Sequence, residues 1–217
     1  MHLAIFSSTL AGGIFANGAA YAAFSSILSE GAQSLNRPGP TPESKLPLSQ
    51  RQSGAQKEID ALTTDGTLNT GKVFTGKNAV GDAATEVLGS VHPISEKYNL
   101  EIGGTIVTNG NGASYSSPIV GGSRSVRVDG AGALAGYHTH PGGDSAGSVF
   151  SNRYNSKGPG DVGFTQRYKI PLYMSHQPTG GSINYNVCNY NATTCSPNFN
   201  PRKLPGFNYG VQGRSVQ

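Results

Sequence analysis

The chain has 217 residues, a net charge of +4, 31 Gly and 13 Pro. With about a fifth of its residues Gly or Pro, 13% charged and no Trp, it is excluded from the coiled-coil and long-helix classes. Two cysteines are too few for a disulfide scaffold, and no run of 18 or more strongly apolar residues predicts a stable membrane span. The weak positive excess has no Lys/Arg block beyond Arg202, Lys203 and Arg214, so no specific nucleic-acid partner is expected.

The first 29 residues contain no Asp, Glu, Lys or Arg. Met1-His2 lacks the basic start of a secretory signal, and the Ala/Ser/Gly mixture is too weakly apolar to span a bilayer. Phe15, Ala19, Ala22, Ala23 and Ile27 share a helical face, which predicts a packed amphipathic helix within an Ala/Gly-rich segment, residues 1–34. Pro38, Pro40, Pro42 and Pro47 then fall in a polar stretch that buries too little surface to offset its ordering entropy. Turn signals at Thr64-Asp65-Gly66 and Asn69-Thr70-Gly71 continue the pattern, so residues 35–77 read as a largely irregular linker.

The folded domain is expected over residues 78–190. Val80, Ala84, Val87, Leu88 and Val91 form a helical stripe that Pro93 should break. LEIGGTIVTNG, SYSSPIV, SRSVRV and GALAGYHTH read as strands, with Asp129-Gly130 in the form of a tight hairpin. A Gly/Ser/Asn loop occupies 141–160, Asp161 is placed to N-cap a short helix through Tyr168, and KIPLYMSHQ and SINYNV supply two more strands. A helix, a run of strands and a second helix predict an α+β domain around a mixed or antiparallel sheet, followed by an irregular tail, residues 191–217. Cys188 and Cys195, with six residues between them, leave a local disulfide and two free thiols equally open.

His138-Thr139-His140 ends the apolar run Ala133–Tyr137 and is stopped by Pro141. Side chains two apart on a strand point to the same face, so both imidazoles project together, and two co-directed neutral imidazoles are a natural zinc-ligand pair. Only two acids, Asp144 and Asp161, lie between His140 and Val187. Asp161 is the preferred third ligand and Asp144 the alternative. Glu101 opens an otherwise apolar strand in a chain with 12 acids and is the candidate general base. His2, His92 and His176 have structural readings, and Tyr137 reads as core packing on the opposite face of its strand.

At these residues the chain resembles the JAB/MPN metallopeptidase family, also called JAMM, whose pattern is a Glu on an early strand, H-[ST]-H-P, and a Ser three residues before an Asp. Glu101, His138-Thr139-His140-Pro141 and Asp161 stand in that order. Glu101 to Ile106 (E-x-G-G-x-I), G-Y-H-T-H and a following Phe150-Ser151 are similar to the JAB-like domains at the ends of bacterial Rhs-type polymorphic toxins, over about residues 78–187. GGIFANGAAYAAFSSIL, residues 12–28, resembles the linker that precedes such toxin domains. The resemblance implies a JAB/MPN-like mixed sheet flanked by helices, with Zn2+ on His138, His140 and Asp161 and Glu101 as base. It further implies a protein or peptide substrate, a cognate immunity protein, an Rhs-type carrier or secretion apparatus, and secretion or delivery into a target cell. The position three before Asp161 is Gly158, so Ser151 is the nearest counterpart of the family's Ser, with Ser148 and Ser156 as substitutes. The alternatives are a metal-dependent nuclease toxin and an inactive binding module on the same fold. A nuclease should carry more cations near the site than Arg153, Lys157, Arg167 and Lys169.

Overall fold

The computed structural model describes residues 41–142, 150–151, 160–178 and 181–190 and the backbone of 196–199, all within the unit Arg37–Gln217. The helix expected in 1–34, together with Asp144, Ser148, Ser156 and Cys195, lies outside the described residues. The fold is α+β, a mixed sheet flanked by helices. Among the described residues no helix is long and apolar enough to cross a membrane.

The segment expected to be an irregular linker carries a 17-residue helix, α1, Leu48–Thr64. The four prolines all precede it, and Pro47 stands immediately before its first turn, where a missing N–H costs nothing. From residue 48 onward the composition favours helix, and Ala55 and Ile59 are buried against the rest of the fold. The change from Pro-rich to helix-favouring composition falls at Pro47, inside the segment expected to be irregular. The turns at Asp65 and Asn69 do form, each side chain accepting an amide two residues on.

α2, Ala79–Tyr98, buries the expected stripe but is not broken by Pro93. The missing bond to the Gly89 carbonyl and the ring's crowding cost about 3 kcal/mol. Burial of Ile94 and Tyr98 in the turns beyond offsets that cost, with about 1.5–3 kcal/mol from the aliphatic Ile94 alone. The helix ends instead at Asn99, which adopts the left-handed conformation with φ 50°.

Among the described residues seven strands follow: β1 Ile102–Asn109, β2 Gly112–Tyr115, β3 Ile119–Val120, β4 Ala135–His140, β5 Leu172–His176, β6 Asn184–Cys188 and β7 Ser196–Phe199. A third helix, α3, Gly160–Tyr168, precedes β5. The sheet order is β2-β1-β4-β5-β6-β7 with β3 also on β1, and only β4–β5 is parallel. Three expectations are corrected here. SRSVRV is not a strand: it forms an isolated bridge, Gly122 to Ser125, and then irregular backbone against β1. Asp129-Gly130 turns the chain, with Asp129 accepting the Ala131 amide, but no strand precedes it to make a hairpin. The tail expected to be irregular contributes β7.

Alternation divides the side chains between two faces. Ile102, Ile106, Tyr137, Tyr173 and Val187 join α2 in the larger core, while Leu172, Met174 and Cys188 pack with Phe150 and Val162 and Phe164 of α3. Tyr137 is fully buried with its hydroxyl donating to the Ser116 carbonyl, as its core reading required. Cys188 is disulfide-bonded, which removes the free-thiol alternative.

Candidate metal centre

His138 and His140 stand on the α3 face of β4, and Thr139 between them fixes their orientation from the other side. Its hydroxyl accepts the Ile102 amide at 2.9 Å and donates to Ser95 Oγ at 2.7 Å; Ser95 in turn donates to the Leu100 carbonyl. This buried relay ties β4 to β1 and to the end of α2, so the two imidazoles have a rigid base.

The strand-end geometry makes the imidazoles converge. His138 Nε2 and His140 Nε2 are 2.9 Å apart, with ring planes at 67°. Asp161 reaches both: Oδ1 lies 3.4 Å from His138 Nε2, and Oδ2 lies 3.6 Å from His140 Nε2. Glu101, His138 and His140 form a group able to hold a metal ion, their ligand atoms all within 4.8 Å of one another. The four predicted residues, separated by up to 60 positions in sequence, therefore meet in one place.

Two glycines allow that meeting. A Cβ on Gly136 would lie 2.7 Å from the Phe164 ring, so a bare backbone here lets α3 lie on β4 and brings Asp161 to the histidines. A Cβ on Gly103 would lie 2.8 Å from the Tyr137 carbonyl and 2.9 Å from Val126 Cγ1, so the loop covering Glu101 fits closely against β1 and β4.

Asp161 does not N-cap α3, as its sequence position suggested. Gly160 opens the helix, and Ser151 performs the capping from outside it. Ser151 Oγ accepts the Asp161 amide at 3.0 Å, the Ser151 amide donates to Asp161 Oδ2 at 2.7 Å, and the Ser151 carbonyl accepts the Val162 amide. Asp161 can then turn its carboxylate toward the histidines.

Burial separates the protonation behaviour of these groups. It pushes the Glu101 carboxyl up to about 7, against the opposing pull of His140. It lowers His138 to about 4, keeping that imidazole neutral with Asp161 opposing only in part. Burial also pushes Asp161 upward, but His138, His140 and the Ser151 amide prevail and hold it below the ordinary carboxylate range. The pair of acids is thus split into one that binds a proton near neutrality and one that stays ionised.

The donor set fits zinc. Metal–ligand distances of 2.0–2.1 Å give a tetrahedron with edges of about 3.3 Å. The His138–Asp161 Oδ1 separation of 3.4 Å is close to that length, the His138–His140 separation is a few tenths of an ångström short of it, and the 3.6 Å contact to His140 is made by the other carboxylate oxygen, Oδ2. A neutral buried imidazole and an ionised carboxylate are the forms zinc requires.

Of the other histidines, His2 lies outside the described residues, and His92 and His176 stand close to the site. His92 is fully buried, Nδ1 at 2.9 Å from Ser175 Oγ and Nε2 at 3.5 Å from Glu96 Oε1. The same Glu96 oxygen accepts the Gly142 amide, so α2 holds the turn that follows His140-Pro141. His176 is more than a strand-end residue: it pairs with His140 in the parallel register and therefore shares its face. Its pKa is lowered by burial, then by His92 and His140. Only the register, invisible in one sequence, shows this placement. Comparison of the chain with protein-family profiles, curated proteins and solved structures found no match.

Proposed function

We propose that the chain is a zinc-dependent peptidase or isopeptidase of the JAB/MPN kind, acting as a toxin effector domain. The observation that carries this reading is the convergence of His138, His140 and Asp161, with Glu101 beside them. His138, His140 and Asp161 would hold the metal through Nε2, Nε2 and a carboxylate oxygen. When bound, zinc supplies a Lewis acid that polarises a carbonyl and acidifies a water.

Glu101 suits proton transfer because its carboxyl binds a proton near neutral pH. Its carboxylate takes a proton from the attacking water as the new C–O bond forms. It then returns that proton to the amine as the C–N bond breaks. Ser151 Oγ accepts the Asp161 amide and retains its own hydrogen to donate, which makes it the candidate donor to the developing oxyanion. The toxin context, with its immunity protein, Rhs-type carrier and delivery into a target cell, rests on the sequence resemblance at 12–28 and 78–187.

Purified protein should contain about one zinc per chain, lost on His138→Ala. Glu101→Ala should keep the zinc and abolish toxicity in an expressing bacterium whose proteome otherwise shows new cleavage products. Absence of metal, or toxicity that survives Glu101→Ala, overturns the proposal. Degraded nucleic acid with intact proteins would do so in favour of a metal nuclease.

A further inference from the structure

We propose that Gln52 and Arg51, on the helix α1, are positioning residues that hold Glu101 in place from outside the sheet. The inference concerns the same centre and rests on the assignment of Glu101 as its base. It assigns a role to a segment that composition alone reads as linker.

Glu101 belongs to no regular strand, being one residue short of β1 and two beyond the Asn99 cap. Its position is set by two neighbours. On one side its amide donates to the Gly122 carbonyl at 2.7 Å, and its carbonyl accepts the Gly121 amide at 2.8 Å. The same loop folds over it, and the Val126 amide donates to its carboxylate. On the other side lies the C-terminus of α2.

α1 grips both. Gln52 Nε2 donates to the Gly121 carbonyl at 2.9 Å, in the residue pair that brackets the Glu101 backbone. Arg51 Nη1 lies 3.2 Å from the Tyr98 carbonyl and 3.0 Å from the Asn99 carbonyl, placing a cation on the negative end of α2. The same nitrogen is 3.0 Å from Ser123 Oγ, so one guanidinium spans the chain before Glu101 and the loop across from it. These contacts join positions 47 to 72 residues apart.

α1 is seated firmly enough to serve as that anchor. Ala55 and Ile59 are buried, and a Cβ on Gly54 would lie 2.6 Å from the Tyr98 ring, so the helices α1 and α2 are in close contact at this point. Lys97 and Tyr98 both donate to Glu58 Oε1 at 2.7 Å one turn further on. Gln52 and Arg51 therefore transmit a fixed position rather than follow a mobile one. A proton-transfer group must be held within a few tenths of an ångström of its working geometry, which a two-glycine loop does not secure by itself.

The test is site-resolved amide hydrogen exchange on the full-length, zinc-loaded protein, comparing wild type with Gln52→Ala, Arg51→Ala and Gln52→Lys. The amides of Glu101, Gly121 and Gly122 report the bracket; those of Tyr137 and Met174 report the sheet. In both alanine variants the bracket amides should exchange on the order of tenfold faster, the ratio that one lost side-chain hydrogen bond produces, with the sheet amides unchanged. Gln52→Lys retains a donor to Gly121 and should restore protection. Zinc stoichiometry should stay the same in every variant, because His138, His140 and Asp161 are untouched. Unchanged bracket amides overturn the inference, and so does acceleration spread equally over the sheet. If the bracket loosens as expected while Glu101→Ala leaves toxicity intact, the positioning stands and the peptidase reading falls.

Discussion

Replacing Glu101 by Gln should make the metal-free protein more stable at neutral and alkaline pH. The carboxyl is raised from its ordinary 4.5 to about 7, with burial the largest cause. At about 1.4 kcal/mol per tenfold in proton affinity, that rise corresponds to a penalty of about 3 kcal/mol when the group is forced to ionise. The sign follows from the raised value. Below pH 4.5 both folded and unfolded chains hold the proton, and the group costs nothing. Between 4.5 and about 7 the unfolded chain releases its proton and the folded one does not, so stability falls as pH rises. Above about 7 the full penalty is present. A glutamine keeps an oxygen for the Val126 amide and has no charge to desolvate. Urea unfolding of chelator-treated wild type and Glu101→Gln should therefore agree near pH 4 and diverge by up to about 3 kcal/mol at pH 8, with equal m-values. A difference independent of pH, or a less stable variant at pH 8, would show that the carboxyl is solvated in the fold and would refute the reasoning.

Asp161→Asn should weaken zinc binding by on the order of a hundredfold in competitive chelator titrations, since it removes the ionised donor facing both histidines. In the metal-free protein it should also remove stability at neutral pH. That contribution is present above the ordinary Asp value of 3.8 and lost as pH falls through the depressed folded value, so unfolding at pH 2 and pH 7 checks it. Gly136→Val should push Phe164 and α3 off β4 and lower zinc affinity by about 10–100-fold; unchanged affinity would mean that α3 does not need the close approach. Ser151→Ala should cost about 1 kcal/mol of stability through the lost bond to the Asp161 amide, measured by urea unfolding. It should also lower kcat by about a hundredfold or more, and full activity would limit Ser151 to capping α3.

The centre was legible because its chemistry is written in local patterns. A two-residue period on a strand places His138 and His140 on one face whatever the rest of the chain does. In a chain with 12 acids, Glu101 and Asp161 were conspicuous beside them. The glycines of E-x-G-G and G-Y-H-T-H have a reason in close approach, since Gly103 and Gly136 stand where Val126 and Phe164 come down on the sheet. What failed was punctuation. Pro93 marked a helix end that burial of Ile94 and Tyr98 overrode, and the prolines of residues 38–47 stop just short of a helix that begins at Leu48.

The sequence by itself determined the α+β class, the stripe of α2, the strand bearing His-Thr-His and the identity of the converging side chains. All of these follow from periodicities of 2 and 3.6 or from the rarity of a residue type. Only the tertiary structure decided that α1 belongs to the fold, that Ser151 caps the helix carrying Asp161, and that His176 stands beside His140. These depend on contacts between positions 10 to 72 residues apart and on strand register, and neither leaves a local trace. The split between Glu101 and Asp161 belongs to the same class: two carboxylates identical in chemistry differ only because burial dominates one and two imidazoles dominate the other.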